Sequence, residues 1–201
     1  MGSIIEWPGN GHNMHEKTIS SKMLYTGRIL GLEVQDVQLA NGKKALREIV
    51  RHRGAVAVLA RRPDGKFVLV RQFRKPVERE MLEVVAGNRE AGEDPEVCAR
   101  RELKEETGYS VRRLVPLGFT FPSPGYVDER IDLYYAETGP DAGGINPDED
   151  EHLEVVLLDR NSIVEKIGRN EINDSKTLAA WTQFVTIVET GAAAQGTRGA
   201  S

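Results

Sequence analysis

Residues 87–109 read GNREAGEDPEVCARRELKEETGY and contain the start and the end of a predicted helix. Asp94 followed by Pro95 is typical of a helix N-terminus, because aspartate caps free backbone N–H groups and proline suits the first helical position. Gly108 is typical of the residue just past a helix C-terminus, where the backbone turns left-handed. The stretch therefore predicts a helix from about Pro95 to Thr107.

Three glutamates share one face of this predicted helix. Glu102, Glu105 and Glu106 are spaced i, i+3 and i+4, so they project within about 6 Å of one another along the axis. Like charges at this spacing destabilise an exposed helix. A hard divalent cation offsets the repulsion, because Mg²⁺ prefers carboxylate oxygens and retains waters beside substrate phosphates. The pattern indicates either a Mg²⁺ site or an ordinary solvated helix face.

The residues upstream of the glutamates favour the metal site. With Gly87, Glu93 and Arg101 the segment reads G-x5-E-x7-R-E-L-x-E-E-x-G-Y, and it matches every fixed position of the Nudix box. The chain resembles the Nudix hydrolases over about residues 51–188. The resemblance implies an α/β fold, namely a Nudix-type α/β/α sandwich with a mixed central sheet and a β-rich N-terminal arm. It also implies hydrolysis of a nucleoside diphosphate linked to another group.

The resemblance further implies which residues hold the cation, with Mg²⁺ as the cofactor and Mn²⁺ as an alternative. The matching metal positions are the main-chain carbonyl of Ala86 and the carboxylates of Glu102, Glu105 and Glu106. Glu105 is suited to a second or third ion and is also a catalytic candidate. Glu83 is a weaker candidate ligand, for which a plain strand glutamate is the alternative.

Four residues of the box are expected to support its structure. The resemblance implies a salt bridge in which Glu93 and Arg101 hold the loop to the helix. Gly87 is expected to permit a tight turn, and Gly108 the left-handed helix end.

Segments on both sides of the box resemble the ADP-ribose pyrophosphatase branch of the family. FPSPGYVDE places Pro124 sixteen residues after Gly108, and REIVRHRGAVAVLA and LVRQFRKPV are similar to the first strands of that branch. In such enzymes the N-terminal arm pairs with a second subunit, so the resemblance implies a homodimer. That branch usually has L-P-A-G, then a basic residue, then P-G-E. Here Val85 replaces the first proline, Asn88 the basic residue and Ala91 the second proline, so the sequence does not decide which terminal sugar is accepted.

A basic segment contains the candidates for diphosphate contacts. Between residues 43 and 79, twelve Lys/Arg stand against three Asp/Glu. Planar guanidinium groups hold phosphate oxygens bidentately. The candidate arginines are Arg51, Arg71 and Arg74, of which Arg74 is preferred. Pro124 and Tyr126 are further substrate-binding candidates. Stacking on a base is expected of Tyr126, and for Phe73 it competes with burial in the core.

Hydrolysis also requires a group that removes a proton from water. The acidic loop NPDEDEH, residues 146–152, follows the box by about 40 residues. Glu149 and Glu151 are the candidates for the general base, and Glu151 is preferred because it is nearest to the following strand. A solvated acidic loop is the alternative interpretation.

Apolar runs and turn residues predict the elements around the box. GAVAVLA and FVLVRQF are predicted as central strands joined by a Pro63-Asp64-Gly65 turn, and a two-residue hairpin turn is predicted at Asn41-Gly42. Further strands are predicted at VRRLVPLGFTF, IDLYYAE and LEVVLLD, and a helix from about Ser175 to Thr190. The predicted domains are residues 17–49, the arm with the dimer contacts, and residues 50–190, the hydrolase domain.

Composition excludes several classes of protein. The 201 residues are 39% hydrophobic and 29% charged, as in globular domains. The longest apolar runs are too short to span a bilayer, so no membrane association is expected. No segment resembles a DNA-binding helix pair, so no nucleic acid partner is expected. The absence of a signal-peptide pattern and the single cysteine, Cys98, predict a cytoplasmic protein.

The function that the resemblance implies is a Mg²⁺-dependent hydrolase that splits ADP-ribose into AMP and ribose 5-phosphate. One alternative is a broader nucleoside-diphosphate-sugar hydrolase, acting for instance on GDP-mannose. Another is a non-catalytic nucleotide-binding module, which would have no need of the three helix glutamates.

Overall fold

The computed structural model describes residues 14–144 and 152–191, and the chain divides into two compact units. Within the described residues the first unit comprises 14–52 and 125–128, and the second comprises 53–124, 129–144 and 152–191. No helix among the described residues is long and apolar enough to cross a membrane.

The first unit contains a three-stranded antiparallel sheet in chain order. Its strands are β1 (Lys17–Thr26), β2 (Leu30–Gln38) and β3 (Lys44–His52). The predicted two-residue turn between β2 and β3 is wrong by one residue. The Leu39 N–H donates to the Lys43 carbonyl at 2.8 Å, so three residues form the turn, and Gly42 takes the left-handed position with φ 81°. A three-residue loop ending in a left-handed glycine is the next most common hairpin connection.

The second unit contains a mixed sheet of seven strands. These are β4 (Ala55–Arg61), β5 (Phe67–Arg74), β6 (Arg79–Glu83), β7 (Val85–Asn88), β8 (Val111–Thr120), β9 (Ile131–Thr138) and β10 (Leu153–Leu158). The main order is β10-β5-β4-β9-β8, in which only β4 and β9 run parallel. β4 and β5 pair only near their shared turn; further along, β7 pairs with β4 and β6 with β5.

Helices pack on both faces of this sheet. They are α1 (Pro95–Thr107), α2 (Arg160–Gly168) and α3 (Ser175–Phe184), and a π-helical segment, Val185–Glu189, follows α3. Side chains of β4 alternate between two cores, as expected for a strand. One core contains Leu59 with Trp181 of α3, and the other contains Val58 with Leu103 of α1. The predicted α/β/α sandwich with a mixed sheet is confirmed.

The helix of the box has the predicted bounds. The Asp94 carboxylate accepts hydrogen bonds from the N–H groups of Glu96 and Val97, and Gly108 ends the helix with φ 74°. An added Cβ at Gly108 would lie 2.4 Å from the Gly143 carbonyl oxygen, so this position requires glycine for close approach as well as for its dihedral angle.

The other helices differ from the prediction. α2 was not predicted, although Asp159 caps it by accepting from the Ser162 N–H at 2.8 Å. The predicted helix over residues 175–190 is α-helical only as far as Phe184, after which the hydrogen bonding becomes π-helical. Both helices begin at an aspartate N-cap.

Candidate active site

A cavity of about 520 Å³ lies in the second unit, beside the glutamate face of α1. The start of β4, the start of β9 and the first turn of α3 form its other walls. Its described charged lining residues are Arg74, Arg101 and Lys176 together with Glu90, Glu102, Glu105, Glu106, Glu129 and Asp174. Six carboxylates thus face three cationic side chains. Since a diphosphate is also an anion, this lining accommodates one only together with added positive charge.

Arg101 connects the box loop to the glutamate face. Its Nε and Nη2 donate to the two Glu93 carboxylate oxygens at 2.9 and 3.0 Å. The hydrogen bond from Arg101 lowers the pKa of Glu93 to about 2, so this carboxylate stays ionised well below neutral pH. Nη1 donates to Glu102 at 2.7 Å and to Glu105 at 3.1 Å. The salt bridge implied by the resemblance is formed, and the same guanidinium reduces the repulsion between two of the helix glutamates.

Gly87 is where the glutamate face meets the sheet. The expectation of a tight turn at Gly87 is wrong, because the residue lies within β7 and its φ is not in the left-handed region. An added Cβ would instead lie 1.9 Å from Cδ of Glu102. Glycine is required here because it leaves the space that the Glu102 carboxylate fills.

The donor set of the cavity fits a divalent cation. Glu102, Glu105 and Glu106 line it on one side, and Ala86 of β7 lines it beside Gly87. Carboxylate and carbonyl oxygens are the ligands that Mg²⁺ prefers, and the space left at Gly87 holds one carboxylate against the strand. Within residues 14–144 and 152–191 no three Asp, Glu, His or Cys side chains are arranged so that they could hold a metal ion, and Arg101 pairs with Glu102 and Glu105.

The wall opposite the glutamate face is built around a buried carboxylate, Glu83, whose side chain is only 1% exposed. Arg74 donates to it through Nε at 2.9 Å and through Nη2 at 2.7 Å, and Lys176 Nζ donates to the same Oε2. Burial raises the pKa of Glu83, but the hydrogen bonds from Arg74 and the charge of Lys176 outweigh it, and the net shift is downward. Glu83 therefore anchors two cations.

The other predicted contact residues have varied surroundings. Arg71 pairs with Glu154 at 2.9 Å on the sheet surface. Arg51 belongs to the first unit, where it pairs with Glu33 and with Asp128. Phe73 is 52% exposed, so the core alternative for its side chain is wrong.

The residues predicted from the FPSPGYVDE segment are both exposed. Tyr126, in the first unit, is 60% exposed, and Pro124, in the second unit, is exposed as well. Pro122 rather than Pro124 is the described proline of the cavity lining. Glu149 and Glu151 lie outside the described residues. Substrate binding by Arg51, Arg71, Pro124 and Tyr126 stays a prediction.

Lys176 is the functional candidate that sequence reasoning missed. It follows Asp174, whose carboxylate caps α3 by accepting from the Thr177 N–H at 2.9 Å and also accepts from Lys176 at 3.0 Å. The Asp-Ser-Lys-Thr segment is a helix-start signal in the sequence. Nothing in that signal indicates that the lysine reaches a strand 93 residues earlier.

Comparison with known proteins adds the following findings. The family model described as NUDIX domain matches residues 51–181, and that described as Nucleoside diphosphate sugar hydrolase N-terminal domain matches residues 16–50. The chain is 42% identical over 178 residues to an ADP-ribose pyrophosphatase of Bacillus subtilis (strain 168), covering 88% of this chain and 96% of that protein. It is 43% identical over 182 residues to a methanol dehydrogenase activator of Bacillus methanolicus, covering 89% and 97%. A crystal structure of an ADP compounds hydrolase aligns with a TM-score of 0.76 at 21% identity, over 88% of this chain and 95% of that chain, which concerns the fold alone.

Substitution of Gly87 by alanine tests the contact between β7 and Glu102. The new Cβ displaces the Glu102 carboxylate, which is the far end of a flexible side chain, so we expect the fold to persist and Mg²⁺ binding to weaken about tenfold. Isothermal titration calorimetry with Mg²⁺ measures the binding, and circular dichroism measures the fold. Gly125→Ala is the control, since an added Cβ there meets nothing within 4 Å. Unchanged Mg²⁺ affinity in folded Gly87→Ala would contradict the assignment of Glu102 as a ligand.

Proposed function

The chain belongs to the NUDIX family as a pyrophosphohydrolase, and on this premise we propose that it hydrolyses ADP-ribose to AMP and ribose 5-phosphate with Mg²⁺ as cofactor. The single observation that carries the proposal is the cavity in which the box glutamates face Arg74 and Lys176. The named activity of the Bacillus subtilis relative supports the choice of ADP-ribose. A broader specificity for nucleoside diphosphate sugars is the alternative, supported by the description of the family that matches residues 16–50.

The proposed reaction consumes one water. Its oxygen bonds to one phosphorus, the bridging P–O bond breaks, and the water proton passes to a base. Attack at either phosphorus gives the same two products. The site must therefore bind two neighbouring phosphates, orient a water in line with the bridging oxygen, and accept a proton.

We assign the cation to Glu102, Glu105, Glu106 and the Ala86 carbonyl. When bound, Mg²⁺ supplies the positive charge that offsets the diphosphate and the charge that develops during its hydrolysis. Mn²⁺ accepts the same oxygen ligands and is the alternative ion. Arg101 and Glu93 hold the loop and the helix in place, while Arg74 offers its guanidinium to a phosphate oxygen from the opposite wall.

A substrate panel tests the proposed activity. We expect kcat/KM for ADP-ribose in Mg²⁺ to exceed that for GDP-mannose, UDP-glucose and NADH, and we expect chelation of the metal to abolish turnover. Glu106→Gln is the inactive comparison. An amide of nearly equal size cannot neutralise the cation, so we expect near-complete loss of turnover with the fold intact. Equal or better turnover of a hexose nucleotide would defeat the narrower assignment. Binding of ADP-ribose without hydrolysis in saturating Mg²⁺ would defeat the catalytic one.

The general base is proposed to come from the acidic loop, with Glu151 ahead of Glu149 and Glu105 as a further catalytic candidate. For Glu151→Gln we expect kcat to fall about 100-fold with little change in KM, the pattern of a group used mainly in the transition state. Steady-state kinetics with ADP-ribose measure both constants, and Glu149→Gln is the comparison. Activity close to wild type in Glu151→Gln would place the base elsewhere.

We propose that residues 17–49 form an arm and residues 50–190 the hydrolase domain. We further propose that two copies of the chain form a homodimer through the arm. Large apolar side chains of β1 are about half exposed, namely Ile19, Met23, Leu24 and Tyr25. β1 is also an edge strand of its sheet, and exposed apolar edges are sites for pairing with another chain. We expect sedimentation velocity at about 10 μM to give twice the 22.3 kDa chain mass. A monomer at that concentration would refute the proposal.

A further inference from the structure

We propose that Lys176 is a positioning residue for the diphosphate, acting through Glu83 to fix the guanidinium of Arg74. The proposal rests on the proposed function for its substrate. It concerns a lysine of the first turn of α3, far in sequence from the box, and its contact with a glutamate at the end of β6.

Arg74 is held by two hydrogen bonds to Glu83. Its Nε and Nη2 are both directed to the Glu83 carboxylate, so one edge of the planar guanidinium is fixed. Nη1 has no hydrogen-bond partner among residues 14–144 and 152–191, and Arg74 lines the cavity. The edge formed by Nη1 and the second N–H of Nη2 matches two phosphate oxygens. The direction of that edge depends on the orientation of the Glu83 carboxylate.

Glu83 is held in turn by Lys176. Lys176 Nζ binds Oε2, the same oxygen that accepts from Arg74 Nη2, and also contacts Asp174 at 3.0 Å. The start of α3 is also tied to the residue between β6 and β7, because the Val84 N–H donates to Thr177 Oγ1 at 3.0 Å. Lys176 thus shares a Glu83 oxygen with Arg74, and this second contact restrains rotation of the carboxylate.

The contacts around Glu83 bring together several charged side chains. Two carboxylates, Glu83 and Asp174, contact two cations, Arg74 and Lys176, and the charge of Glu106 also acts on Arg74. Removal of Lys176 alone takes one positive charge from this cluster, and a buried charge pair that loses one partner is strongly disfavoured. Without Lys176, the Glu83 carboxylate loses one of the contacts that fix its orientation, and the Arg74 guanidinium bound to it is less restrained. Lys176 therefore orders Arg74 before the substrate arrives, which reduces the ordering required on binding.

A double-mutant cycle between Lys176→Met and Arg74→Met tests the inference in the full-length protein. We expect each single variant to lower kcat/KM for ADP-ribose on the order of 100-fold. We expect the double variant to lose about as much as Arg74→Met alone, because Lys176 acts through Arg74. Lys176→Arg restores most of the activity by keeping the charge. Lys166→Met, which removes the ion pair between Lys166 of α2 and Glu171, is the control and leaves the kinetics unchanged.

The same cycle is measured by calorimetric titration of inorganic pyrophosphate with Mg²⁺, which requires no turnover. If wild type fails to hydrolyse ADP-ribose, the proposed function fails, and the pyrophosphate affinities still decide on Lys176. If the two losses add, so that kcat/KM of the double variant falls about 10,000-fold, action through Arg74 is refuted. Unchanged affinity in Lys176→Met together with a lower melting temperature would reduce the residue to a structural role and overturn the proposal.

Discussion

Repulsion among the carboxylates of α1 is the constraint on which the rest of the site depends. Three glutamates on one helix face are unfavourable unless opposite charge lies nearby. Arg101 supplies part of it by contacting Glu102 and Glu105 from the same helix. Since Arg101 is itself fixed by Glu93, the loop, the helix and the glutamate face form one connected unit. The remaining negative charge lines the cavity, where the proposed cation would offset it.

On the opposite wall of the cavity, the negative charge of Glu83 is offset by cationic side chains. Glu83 is buried, and a buried carboxylate is tolerated when it is paired and hydrogen-bonded. Arg74 and Lys176 provide both. One wall therefore carries three glutamates of the box, and the other presents two cationic side chains that are paired with carboxylates. This asymmetry also explains why Glu83, a weaker ligand candidate from sequence, is better understood as an anchor for cations.

The sequence predicts the local features of the site well. The bounds of α1, its Asp94 cap and its Gly108 end follow from side-chain chemistry within a few residues. The interaction of Lys176 with Glu83 does not, because it requires the register that inserts β6 beside β5 and the start of α3 beside β6. The need for glycine at position 87 does not follow from the sequence either, because it depends on a contact between β7 and α1. A glycine in a sequence suggests a special dihedral angle, whereas here it is needed because a side chain from another element occupies its space.

The departures from the branch pattern can be separated by their positions in the fold. Val85 is buried in the core under α1, so its replacement of proline affects packing rather than substrate. Ala91 is exposed on the box loop and is not among the described cavity-lining residues. Asn88 does line the cavity, and its carbonyl accepts from Arg101 at 3.4 Å. Because Asn88 replaces a basic residue beside the glutamate face, it removes one positive charge from the cavity. Of the three departures, Asn88 is thus the one that lies in the cavity lining.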